Sequence, residues 1–119
     1  MKKISVLLLM ILLGLSLSLP AMAKKQQMDK VTACAIVLAK LSQQGLIQVA
    51  PGDISTFVLV EPLWWKTLTY RKKVVLVNAV MVVARTEKKP PMFVIVQDMT
   101  SRDTVAKGFI ERNEVDIYK

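Results

Sequence analysis

The 119-residue chain contains no histidine. That removes the commonest general base, the commonest metal ligand and the usual near-neutral pH switch. Cysteine occurs once, at Cys34, so no disulfide can form within the chain and the core must carry stability by itself. Four scattered glycines build no phosphate-cradling loop. The acids are few and dispersed. Nothing in the order Asp53, Glu61, Glu87, Asp98 sets two carboxylates across a cleft for acid–base work. Asp98 and Asp103 flank a turn, where aspartate ordinarily accepts from backbone amides rather than binding a cation. Ser101 lies in the same turn with no base to activate it. No catalytic, cofactor-binding or metal-ligating residue is expected.

What is present begins with an address. Lys2 and Lys3 precede an apolar stretch, Ile4 to Leu19, interrupted by Ser5, Gly14, Ser16 and Ser18. Pro20 breaks it, and Ala21-Met22-Ala23 puts small residues where signal peptidase reads. The stretch is shorter than the roughly 20 apolar residues of a membrane span. Residues 1–23 are therefore expected to be a cleaved signal peptide, with an uncleaved anchor as the alternative, and residues 24–119 a single periplasmic or secreted domain. Without Lys2 and Lys3 the chain keeps 15 basic and 9 acidic residues, a net charge of +6.

Asp29 is placed to cap a first helix ending near Gln44, with Gly45 as its C-cap. The apolar spacing Val31, Cys34, Ala35, Leu38, Leu41 puts Cys34 on the buried face. An intermolecular disulfide is the other reading of that residue. Leu46–Ala50 and Ile54–Val60 surround Pro51-Gly52-Asp53 and read as a β-hairpin. Met92–Gln97, Thr104–Ile110 and Glu114–Tyr118 read as three further strands, the last alternating like a half-exposed edge.

Between them lies the longest apolar run outside the N-terminus, led by Trp64 and Trp65. Aromatics supply most of the area a small core can bury, so the pair marks its centre. Trp64, Trp65 and Leu68 lead up to Thr69, a good N-cap. Arg71, Lys72 and Lys73 then place positive charge at the positive end of the helix dipole, at about a few tenths of a kcal/mol each if exposed. Val74 to Ala84 is ambiguous. Its composition favours a strand, it has no alternation, and a helix would be apolar nearly all round. Periodicity leaves both open.

Val60-Glu61-Pro62, Trp65, Leu68, Tyr70 and Lys73 fit the spacing V-[DE]-P-x-x-W-x-x-L-x-Y-x-x-K. Asp98, Ser101, Val105, Ala106 and Lys107 fit a following D-x-x-S-x-x-x-[LV]-A-K hairpin. The chain in this respect resembles small exported bacterial proteins of unknown function. The resemblance covers roughly residues 57–118. It implies a helix after Tyr70 and a small antiparallel sheet around it, and it implies no activity. Where the pattern has glycine in the hairpin, this chain has Arg102. A left-handed backbone there would cost an arginine about 1 kcal/mol, which a wider turn would relieve.

The fold expected is α+β: N-terminal helix, β-hairpin, second helix, then three antiparallel strands, with helices covering one face of an antiparallel sheet. Trp65, Leu68 and Cys34 are expected in the core, and Asp98, Ser101 and Arg102 in a hairpin turn. Lys66, Arg71, Lys72 and Lys73 beside Trp64 form the candidate interaction surface, with Trp64 the more exposed tryptophan. The function expected is a small non-enzymatic interaction module for an envelope or extracellular protein. The alternative is a basic surface for polyanions or anionic lipid. A net charge of +6 is modest for a nucleic-acid binder, so nucleic acid is disfavoured. The sequence leaves partner and oligomeric state open.

Overall fold

The protein is described by a computed structural model over residues 29–119. The signal-peptide reading falls outside the described residues. Helix α1 (Lys30–Gln43) starts as expected, with Asp29 Oδ1 accepting from Val31 N at 3.4 Å. It stops at Gly45, whose φ of 76° is left-handed, and Leu46 N donates back to Leu41 O at 3.0 Å. This wrapped end is why helix periodicity ceases there. Strands β1 (Ile47–Ala50) and β2 (Ser55–Val60) form the antiparallel hairpin.

Two helices follow rather than one. Helix α2 (Pro62–Thr67) is separate from α3 (Tyr70–Ala84). Proline suits a first helical position because its missing N–H is unneeded there. Glu61 Oε1 accepts from Trp64 N at 2.8 Å and caps α2. Leu68 then takes an extended backbone, φ −79° and ψ 140°, which breaks the path. Thr69 restarts it, with Oγ1 accepting from Lys72 N at 3.2 Å. The tryptophans therefore sit in their own six-residue helix.

Val74–Ala84 is helical, lying between α1 on one side and strands β3 (Phe93–Asp98), β4 (Thr104–Phe109) and β5 (Glu114–Ile117) on the other. Leu76, Val77, Val80, Met81, Val83 and Ala84 are all buried, so an almost wholly apolar helix has two layers to fill. Gly108 of β4 permits the close approach. A Cβ there would lie 2.6 Å from Met81 Sδ and 2.9 Å from Val77 Cγ1.

The five strands form one sheet in the order β1-β2-β3-β4-β5. β4 pairs antiparallel with both β3 and β5 as expected, but β2 and β3 run parallel, so the sheet is mixed. The cause is the crossover. A 15-residue helix spans about 22 Å. That returns the chain past a six-residue strand of about 20 Å, so β3 must set out in the same direction as β2. Between Val96 and Gln97 the β3–β4 register shifts. The extra residue is Val105, and both Val105 and Ala106 are buried.

The helix-facing side of the sheet carries Val58, Val60, Val94, Val96 and Ala106, all fully buried. No described helix covers the other side. The register aligns Ala50, Phe57, Ile95, Lys107 and Asp116 across that open face, with Phe93, Phe109 and Glu114 in the adjacent row. All three phenylalanines therefore lie outside the core.

Candidate functional site

The surface formed by α2 and the first turn of α3 combines apolar and cationic groups. Leu63 is 71% exposed and Tyr70 66%. Lys66, Arg71 and Lys72 of the same segment are exposed as well. Trp64 is half-buried and packs against the core, so its neighbour Leu63 is the residue most fully presented. Trp65 is buried at 3% exposure. Leu68 and Cys34 pack half-buried against the same core, and the Cys34 thiol is free.

Lys73 does not belong to this surface. It is only 8% exposed. Its Nζ lies 5.1 Å from the centre of the Trp65 ring and donates to the main-chain oxygen of Lys119. Tyr118 N and Lys119 N in turn donate to the carbonyl of Val105, the bulged residue, at 2.8 and 3.2 Å. The long lysine stem packs inward while its head finds one acceptor and one ring face. Its position on α3 three, four and seven residues before buried Leu76, Val77 and Val80 is what turns it inward, whereas Arg71 and Lys72 are exposed. Sequence composition alone groups all three cations, and only helix phase separates them.

The hairpin turn is a structural device. Asp98 Oδ1 accepts from Thr100 N at 2.7 Å and from Ser101 N at 2.9 Å. Arg102 N donates to Asp98 O, and Asp98 N to Asp103 O. The backbone amides of Ser101 and Thr100, with smaller help from Lys119 and Lys66, hold the Asp98 carboxyl below its ordinary pKa. Ser101 Oγ accepts from Asp103 N at 3.2 Å. Arg102 adopts the left-handed backbone itself, φ 67°. Among the described residues no group of three or more cysteine or acidic side chains is placed to hold a metal ion.

Two shallow clefts accompany these features. One, of about 370 Å³, lies between Lys30, the outer side of α3 at Asn78 and Val82, and the β4–β5 turn. Arg85 lines it, but its Nη2 donates to Ile110 O and Asn113 Oδ1, both at 2.9 Å, so the guanidinium is committed to holding that turn. The other, of about 390 Å³, lies at a corner of the open sheet face beside Met92, Phe93 and Phe109. There the Phe93 and Phe109 rings meet edge to face at 5.8 Å, and Lys107 and Arg112 lie over them at 4.3 to 5.1 Å.

The open-face aromatics were not legible as a surface in the sequence. Phe93-Val94-Ile95-Val96 is apolar on both phases of a strand, which looks the same whether one face or two are covered. Comparison with known protein families, characterised proteins and solved structures yields no match.

Proposed function

We propose that the protein is a small exported interaction module without catalytic activity, and that it docks an acidic surface of an envelope or extracellular protein through α2 and the start of α3. The observation that carries this reading is the exposure of Leu63 and Tyr70 together with that of Lys66, Arg71 and Lys72 within residues 63–72. Exposed apolar side chains supply desolvation energy on contact. The cations steer and orient an acidic partner. Glu61, the nearest carboxylate in sequence, caps α2 through Oε1, and of the three cations Lys66 also acts on the Asp98 carboxylate. The absence of catalysis rests on the chain's composition, which offers no histidine base.

A photo-reactive residue in place of Leu63 tests the reading in intact cells. A discrete cross-linked protein is expected, and it should be lost when Lys66, Arg71 and Lys72 are all changed to Glu. An adduct that survives this charge reversal, or no adduct at all, refutes it.

The second reading is an anionic lipid surface. It is favoured by the exposure of Tyr70 and Leu63 in one short segment with exposed Lys66 and Lys72, a composition suited to a membrane interface. In that case the purified protein binds vesicles containing phosphatidylglycerol and not phosphatidylcholine vesicles, and the binding falls as salt rises.

A further inference from the structure

The open sheet face is unlike the basic surface of α2 and the first turn of α3. It is apolar at its centre, with Phe57, Leu59, Phe93, Ile95 and Phe109, and Phe57 is 37% exposed. It is also neutral within itself. Arg112 pairs with Glu114 at 3.3 Å, and Lys107 stands directly across from Asp116 on the neighbouring strand. A neutral face on a chain of net charge +8 offers nothing to a polyanion. Both short edge strands carry few groups for pairing, so association by sheet extension is also disfavoured.

We propose that this face binds the same face of a second copy of the chain, two sheets stacking about a two-fold axis through Ile95. The register carries the assignment. Ile95 is the middle residue of the middle strand in the row Ala50, Phe57, Ile95, Lys107, Asp116. A two-fold axis parallel to β3 lays that row on its own reverse. Ile95 then meets Ile95, Phe57 meets Lys107, and Ala50 meets Asp116. No like charges are brought together. Lys107 already lies over two phenylalanine rings of its own chain, at 4.4 and 5.1 Å, and in the dimer it gains a third. The face has an outline of roughly 500 Å² for five strands of this length. That is below the roughly 800 Å² per partner of a standard stable interface. The dimer is therefore weak and concentration-dependent.

Its salt dependence has the opposite sign to that of the basic surface. Two copies of like net charge repel, so added salt tightens an apolar dimer while it loosens any complex with an anionic surface.

Sedimentation velocity of the purified protein, with reductant present to exclude a Cys34 disulfide, tests the proposal from about 1 µM to about 1 mM, a range set by the small interface. A monomer–dimer equilibrium is expected, shifted toward dimer by salt and weakened at least tenfold by Phe57→Lys. Lys66→Glu, on the other surface, should leave it unweakened. A second measurement maps the axis. In a Cys34→Ala background, Ile95→Cys should be joined to itself by a short bismaleimide across the gap of about 10 Å between stacked sheets. Gln48→Cys, on the outer strand, should not. A monomer at every concentration overturns the proposal. So does a dimer indifferent to Phe57→Lys, or cross-linking at Gln48→Cys in place of Ile95→Cys.

Discussion

Replacing Gly108 with alanine adds one methyl group at the tightest contact between sheet and helix. The added Cβ would stand 2.6 Å from Met81 Sδ and 2.9 Å from Val77 Cγ1. Both distances are well inside ordinary van der Waals separation. Methionine is adaptable, but Met81 is fully buried, so its Sδ can retreat only by displacing packed neighbours. Val77 is also fully buried, and a valine in a helix is held to one rotamer. The backbone must therefore yield, and overpacking of this kind costs about 1–3 kcal/mol. Loss of glycine's freedom in the unfolded chain offsets about 0.4–1 kcal/mol of this. A net loss of about 1–2 kcal/mol is expected, roughly 5–15 °C in melting temperature for a domain of this size. Thermal and urea denaturation measure it directly. The decisive comparison repeats Gly108→Ala in a Val77→Ala background. The space vacated there should accept the new methyl, and the penalty should shrink by about 1 kcal/mol as contacting residues couple. An alanine variant as stable as the parent, or an equal penalty in both backgrounds, would refute the packing argument.

Three further outcomes follow from particular side chains. Thr56 is 3% exposed, and its Oγ1 has no hydrogen-bond partner among the described residues. Thr56→Val keeps the shape, removes the stranded hydroxyl, and should raise stability by about 1 kcal/mol in denaturant melts; a loss of stability instead would reveal a partner for the hydroxyl. Arg102 holds φ 67°, so Arg102→Gly should stabilise by up to about 1 kcal/mol, whereas Arg102→Val should destabilise. Asp98 has a folded pKa below its unfolded value because Ser101 and Thr100 amides bond its charged form. Its contribution is thus fully present above about pH 4 and is lost as pH falls through the lower folded value. Asp98→Asn should flatten that acid limb in pH-dependent urea melts. An unchanged limb would mean that other carboxylates control it.

Much of this architecture is written locally. Asp29, Gly45, Thr69 and the turn at Asp98 each do what their side chains dictate within three or four residues. Helix α3 was the ambiguous case, yet its phase is present in the chain. Arg71, Asn78 and Arg85 recur every seven residues, two helical turns apart, and all are exposed. Hydrophobic periodicity missed this because the signal lies in the few polar positions. Glu61 as a cap was hidden because glutamate is an uncommon choice for that position. The parallel pairing of β2 with β3 is not local at all, since it depends on how far α3 carries the chain. Of the candidate surface, Lys66, Arg71 and Lys72 were readable as cations. The burial of Lys73 required knowing where Lys119 and Trp65 come to rest.

The parallel crossover at the sheet's centre also bears on how the molecule is assembled. β3, β4 and β5 are neighbours in sequence and can associate through short loops, but their inner face has no cover until α3 settles on it. The β1–β2 ribbon pairs with the far side of β3, and two helices intervene in sequence between β2 and β3. Closing that large loop is the entropically demanding event. Residues at the parallel β2–β3 pairing, such as Val58 and Val96, should therefore govern the folding rate more than those in the β1–β2 or β4–β5 turns.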